Sequence, residues 1–101
     1  MYSRKLLIPI LLAAVVYSGE SFAYKSKDGV KFNATYNESG AILKSKRSTT
    51  YMGKNCDVSS PEYGTGTWGW DSKGFKIDFQ GKSILFPKQK INIEDNDKCK
   101  L

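Results

Sequence analysis

The chain has 101 residues and no histidine, and its 16 basic against 10 acidic side chains give a formal net charge of +6. The absence of histidine excludes catalytic triads and proton shuttles that depend on imidazole, and zinc sites built on it. The length allows one small domain.

The first 23 residues have the pattern of a secretory signal peptide. Arg4 and Lys5 supply the positive start, residues 6–16 form an apolar run, and residues 21–23 (Ser-Phe-Ala) resemble a cleavage site. The apolar run is too short to cross a bilayer as a helix, so we expect no stable membrane anchor. The sequence predicts cleavage after Ala23 and a soluble product, in a periplasm or outside the cell.

The predicted mature domain, residues 24–101, has 78 residues. Removing Arg4, Lys5 and Glu20 leaves 14 basic and nine acidic residues, a net charge of +5. Such a charge favours anionic partners, but the lysines are scattered. Residues 44–47 are the nearest approach to a cluster, and their spacing is typical of the solvated end of a strand, so no nucleic-acid partner is expected.

Cys56 and Cys99 are the two cysteines of the chain. An even pair in a short secreted protein predicts a disulfide, with two free thiols or half a metal site as the alternatives. A domain of this size gains little stability from its core, so the bond is assigned to stability rather than to chemistry.

Alternating apolar and polar residues predict an all-β domain. The alternation is clear in residues 30–36, and the sequence predicts further short strands at 41–46 and 48–52, followed by a loop over 53–67.

The second half of the chain continues the pattern with a strand at 67–70, a turn at 71–74 and a strand at 75–79. Residues 83–86 form another predicted strand, and 91–93 are a candidate for the last one. Roughly six to eight strands in so short a domain suggest an antiparallel meander that closes into a small barrel or curled sheet.

The catalytic inventory is small, and we predict that the protein is not an enzyme. Asp71 and Asp78 flank a predicted hairpin, Glu62 stands alone in a loop, and residues 94–97 resemble a solvated turn. That acidic turn lacks the spacing and the glycine of an EF-hand loop, so neither a metal nor another cofactor is expected.

Trp68 and Trp70 lie two residues apart and therefore share a face if the segment is a strand. One interpretation places both indoles in the core beside Phe75 and Phe79. The other places one of them at an exposed edge, where it would stack on a sugar or anchor a protein contact.

The segment 60–74 resembles the MliC/PliC family of bacterial inhibitors of c-type lysozyme. The signature of that family joins a serine-glycine loop ending in tyrosine to a strand whose turn ends in an aromatic residue, serine or threonine, lysine and glycine. Ser60 and Tyr63 stand near the positions of the loop residues, and Ser72-Lys73-Gly74 repeats the ending. The size, the signal peptide, the all-β pattern and a cysteine near the C-terminus are also similar.

The resemblance implies an inhibitor that inserts a loop into the catalytic cleft of lysozyme. In that case Ser60 would hydrogen-bond the catalytic carboxylates, Lys73 would pair with their charge, and Tyr63 would shape the loop. A second hypothesis is a periplasmic immunity protein against another toxin or hydrolase. A third is a glycan-binding or cell-envelope module that contacts peptidoglycan through Trp68, Trp70 and lysines.

Overall fold

The computed structural model of the protein describes residues 21–101, so the predicted signal peptide lies outside the described residues except for its last three. These residues form eight strands followed by a short 3-10 helix. The strands are β1 Ser21–Lys25, β2 Lys31–Asn37, β3 Gly40–Lys44, β4 Thr49–Gly53, β5 Asp57–Ser60, β6 Gly64–Asp71, β7 Gly74–Phe79 and β8 Lys82–Pro87, and the 3-10 helix is Asn96–Cys99.

All eight strands belong to one sheet, in chain order, and each is antiparallel to the strand before it. The predicted all-β meander is therefore confirmed. The sheet curls around a single apolar interior, and alternating residues determine its two faces. On β7, for example, Phe75, Ile77 and Phe79 are buried while Lys76 and Asp78 are half-buried on the other face.

The first strand contains the predicted cleavage site. Ser21, Phe22 and Ala23 pair with Thr35, Ala34 and Asn33 on β2. Cleavage after Ala23 would therefore leave Tyr24 and Lys25 as the part of β1 that remains. Tyr24 is buried among Phe75 and Phe86, and this packing holds the shortened strand against the core.

The prediction of a loop over residues 53–67 is wrong, because this segment contains β5 and the start of β6. Val58 is buried and pairs with both Met52 and Gly66 across the sheet. Gly66 signals close strand approach rather than a turn, since a Cβ atom there would collide with the carbonyl oxygen of Asp78.

Residues 91–93 form no strand, although their side chains are those of a core segment. Ile91 and Ile93 are both buried, while Asn92 between them is exposed. The candidate strand is therefore wrong: the side chains alternate as in a strand, but no neighbouring strand edge pairs with this backbone.

The sheet is nearly closed between β1 and β8, and one glutamine side chain bridges the remaining gap. The Lys27 backbone N–H donates directly to the Leu85 carbonyl at 2.8 Å. Beyond that bond, Gln89 Oε1 accepts from the Lys25 N–H at 2.8 Å, and Gln89 Nε2 donates to the Lys25 carbonyl at 2.6 Å. The side-chain amide thus forms the donor and acceptor pair that a neighbouring strand would otherwise provide.

The meander places its connections alternately at two ends. The connections β1–β2, β3–β4, β5–β6 and β7–β8 lie at one end, which we call the mouth end. The other three connections lie at the opposite end, where residues 88–101 cross the sheet; we call this the capped end.

Within residues 21–101, no helix is long and apolar enough to cross a membrane.

The C-terminal segment is attached to the capped end by one covalent bond and several hydrogen bonds. Cys56 and Cys99 form the predicted disulfide, which is consistent with an oxidising compartment. Trp70 Nε1 donates to the Asn96 carbonyl at 2.7 Å, and the Leu101 N–H donates to the Trp70 carbonyl at 2.7 Å.

A pair of tyrosine hydroxyls adds two further contacts with this segment. Tyr24 and Tyr36 hydrogen-bond to each other. Tyr24 donates to the Lys90 carbonyl at 2.8 Å, and Tyr36 accepts from the Asn92 N–H at 3.1 Å. Burial, together with the bond to Tyr36, raises the pKa of the Tyr24 hydroxyl, so it remains a neutral donor.

Candidate functional site

The turn between β6 and β7 presents Ser72 and Lys73 to solvent at the capped end. Asp71 and Gly74 are the last paired residues, so the turn has two residues at its tip. Gly74 has φ 137, a left-handed conformation that favours glycine, and a Cβ atom there would collide with the Phe86 carbonyl.

The backbone of Lys73 is held on both sides. Asp71 Oδ1 accepts from the Lys73 N–H at 2.8 Å, and the Lys73 carbonyl accepts from the Lys88 N–H at 2.7 Å. The hairpin tip is therefore rigid in its backbone while the Lys73 side chain remains exposed. Such an arrangement can present an ammonium group to an acidic partner without the cost of ordering the backbone of the tip.

Ser60 lies at the mouth end, where it is 6% exposed. Its hydroxyl donates to Glu62 Oε1 at 2.9 Å and accepts from the Glu62 N–H at 3.2 Å. The bond from the Thr49 N–H, followed by that from Ser60, holds the pKa of the Glu62 carboxyl below its ordinary value of 4.5. The exposed hydroxyl beside this position belongs to Ser59.

The structure does not bring Ser60 and Lys73 together. Ser60 is the last residue of β5 and pairs with Gly64, and Lys73 follows β6, so the whole of Gly64–Asp71 separates them. At about 3.3 Å per residue, that strand spans roughly 23 Å. Tyr63 lies with Ser60 at the mouth end, half-buried with its ring centroid 5.4 Å from that of Phe79.

The two tryptophans differ in exposure although they share a strand face. Trp68 is 3% exposed and donates through Nε1 to the Gly53 carbonyl at 2.8 Å, which places it in the core. Trp70 is half-buried, and the Lys100 ammonium lies 5.7 Å from its ring centroid. The Trp70 ring lines a surface cavity of about 580 Å³ together with residues of the C-terminal segment.

A second cavity, at the mouth end, was not predicted from the sequence. It has a volume of about 560 Å³, and four basic side chains line it: Lys31, Lys46, Arg47 and Lys82. Lys46 and Arg47 are neighbours in one turn, whereas Lys31 and Lys82 stand at the start of β2 and β8, so the three positions meet only because alternate connections converge at one end.

The described residues contain no group of three or more cysteine, aspartate or glutamate side chains that would hold a metal ion. Comparisons with protein-family models, with curated proteins and with solved structures found no match to this chain. The candidate sites are therefore the rigid Ser72-Lys73 tip and Trp70 at the capped end, and the basic cavity at the mouth end.

Proposed function

We propose that the protein is a secreted binding protein that inhibits a c-type lysozyme by inserting the β6–β7 hairpin tip into its catalytic cleft. The observation that carries this proposal is the exposed Lys73 ammonium on a backbone held by Asp71 and Lys88. The local resemblance of residues 60–74 to the MliC/PliC family supplies the target. No catalytic step by this protein is part of the proposal.

The chemistry of the cleft explains why a lysine would block it. Lysozymes use two carboxyl groups, one ionised and one protonated. An ammonium group placed between them would pair with the ionised carboxylate in a site from which water is excluded, where such bonds are strong. A neighbouring hydroxyl would complete the hydrogen bonding.

Ser72 supplies that hydroxyl in this proposal, because it is exposed and adjacent to Lys73. Ser60 is less suitable, since its hydroxyl is buried and already bonded to Glu62. Tyr63, which accompanies Ser60, would likewise act at a distance from the inserted tip.

The test is cell-wall lysis by a c-type lysozyme with increasing amounts of the protein. We expect near-stoichiometric inhibition by the unmodified protein, and Lys73→Ala should weaken it by about tenfold or more, as for truncation of one partner of a buried charged pair. Ser60→Ala should retain inhibition. Lys54→Gln removes the same charge elsewhere and is the matched control. Absence of inhibition at stoichiometric excess would refute the proposal, and full inhibition by Lys73→Ala would refute the assigned tip.

A glycan-binding module is a second candidate, favoured by the position of Trp70 at a surface cavity. An indole that is half-exposed can stack on a sugar ring. Peptidoglycan fragments should then change the tryptophan fluorescence, and Trp70→Phe should abolish the change because Trp68 is buried. An unchanged signal on titration would count against this candidate.

A further inference from the structure

The cavity at the mouth end combines an apolar floor with a basic rim. Phe32 and Ile84, which are both buried, contribute to its lining. Ser26 and Ser48 also belong to the lining, and their hydroxyls bond within the chain: Ser26 Oγ accepts from the Val30 N–H at 3.1 Å, and Ser48 Oγ lies 3.0 Å from Ser45 Oγ. Its volume of about 560 Å³ is in the range of cavities that hold small organic molecules.

The charge of the lining is strongly one-sided. The lining contains four basic residues and one acidic residue, Asp28. The basic residues are Lys31, Lys46, Arg47 and Lys82. Two further carboxylates lie at this end outside the lining. Glu62 accepts from the Thr49 N–H and the Ser60 hydroxyl, and Asp78 accepts from the Ser83 hydroxyl and forms an ion pair with Lys76. None of the four basic side chains forms a salt bridge within residues 21–101. Four cations against one lining carboxylate leave an excess of three positive charges.

Two of the cations are positioned by an ordered turn. Ser45 Oγ accepts from the Arg47 N–H at 3.3 Å and from the Ser48 N–H at 3.1 Å, while the Ser45 N–H donates to the Ser48 carbonyl at 2.9 Å. Lys46 and Arg47 therefore project from a turn with a defined backbone. On the far side, the Lys82 ammonium lies 5.1 Å from the centroid of the Tyr63 ring.

Several polar residues are also buried near this end of the sheet. The buried polar residues of the described chain are Ser26, Ser48, Thr50 and Ser60, and all of them lie in or next to mouth-end connections. Among residues 21–101, Thr50 Oγ1 is buried without a hydrogen-bond partner. Lysine ammonium groups bind phosphate oxygens through charge-assisted hydrogen bonds, and a guanidinium can bind two of those oxygens at once.

We infer that the mouth-end cavity binds the phosphate group of an organic ligand, with Arg47 and Lys82 as its main contacts and the apolar floor under the organic part. A soluble phosphate ester and a phospholipid headgroup carry the same group. This inference is independent of lysozyme inhibition, because the cavity and the Lys73 tip lie at opposite ends of the sheet.

Calorimetric titrations with glycerol 3-phosphate and sedimentation with phosphatidylglycerol-containing phosphatidylcholine vesicles test the two sources. We expect Arg47→Gln/Lys82→Gln to weaken binding by about tenfold or more, as the loss of two charge-assisted contacts would. The control variant Lys54→Gln/Lys90→Gln has the same net charge, with both substitutions outside the cavity, and should bind within about twofold of the unmodified protein. Binding of glycerol 3-phosphate identifies a soluble ester, and binding of vesicles alone identifies a headgroup.

Three results would overturn the inference. These are no binding to either probe, an equal loss of binding in the two variants, and equally tight binding of a carboxylate analogue such as glycerate. Circular dichroism of each variant verifies the fold. Lysozyme inhibition measured on the same variants separates the two proposals, because Arg47→Gln/Lys82→Gln should leave it intact.

Discussion

Glu62 is a surface carboxylate that hydrogen bonds fix at the mouth end. It accepts hydrogen bonds from the Thr49 N–H and the Ser60 hydroxyl, and these lower its pKa below 4.5 in the folded protein. A lowered pKa means that the folded state favours the ionised form. The resulting stability is present above the ordinary pKa and is lost as the pH falls through the folded-state value.

We therefore expect Glu62→Gln to be less stable than the unmodified protein at pH 7, and the difference to disappear in acid. Urea unfolding at a series of pH values measures it. Glu38→Gln, in the exposed β2–β3 turn, serves as the control. A stability difference that grows on acidification would contradict the assignment.

Thr50 presents the opposite situation, a buried hydroxyl without a partner among residues 21–101. Valine has nearly the same shape without the polar atom. We expect Thr50→Val to raise the free energy of unfolding by about 1 kcal/mol, because burying an unsatisfied hydroxyl is unfavourable. Ser60→Ala, which removes a bonded hydroxyl, should lower it. Destabilisation by Thr50→Val would show that the hydroxyl has a partner, such as water.

At the scale of elements, β6 decides which predicted residues can act together. It separates Ser60 and Tyr63 at one end from Lys73 at the other, and it places Trp68 in the core. Residues that are close in sequence therefore belong to different surfaces. A binding site that uses Lys73 has Ser72 and Trp70 as its neighbours on the strand and turn.

At the junction of β1 and β8, the Gln89 side chain makes the hydrogen bonds to Lys25 that a neighbouring strand would otherwise make. We expect Gln89→Ala to lower the free energy of unfolding by about 1–2 kcal/mol through the loss of its bonds to Lys25. The Lys25 amide should then exchange faster with solvent, which NMR can measure. Gln80→Ala, in the exposed β7–β8 turn, is the control, and an unchanged Lys25 exchange rate would argue against this role.

For the whole molecule, the Cys56–Cys99 bond closes a loop over a sequence separation of 43 residues and attaches the C-terminal segment to the sheet. In the entropic model, removing the bond lowers the free energy of unfolding by about 4 kcal/mol. We expect Cys56→Ser/Cys99→Ser to lose stability of that order in urea unfolding. The reduced unmodified protein should behave in the same way, and equal stability with and without the bond would contradict the model.

Much of this architecture was predictable from local patterns. The alternation in β2 and β7, the turn at 71–74 and the single cysteine pair depend on residue type and spacing, and all three are confirmed. The strands within 53–67 were not predictable in the same way. Glycine is typical of loops, but Gly66 lies in a strand where the neighbouring backbone comes too close for a side chain.

The sequence by itself determined the strand periodicity, the excess of basic residues and the disulfide, because these follow from side-chain chemistry and short spacings. Only the tertiary structure decided that Ser60 and Lys73 lie at opposite ends, and that Lys31, Lys46, Arg47 and Lys82 meet at one cavity. The physical reason is that an antiparallel meander returns the chain to the same end at every second connection. Residues far apart in the chain therefore become neighbours, while residues at the two ends of one strand stay a strand length apart.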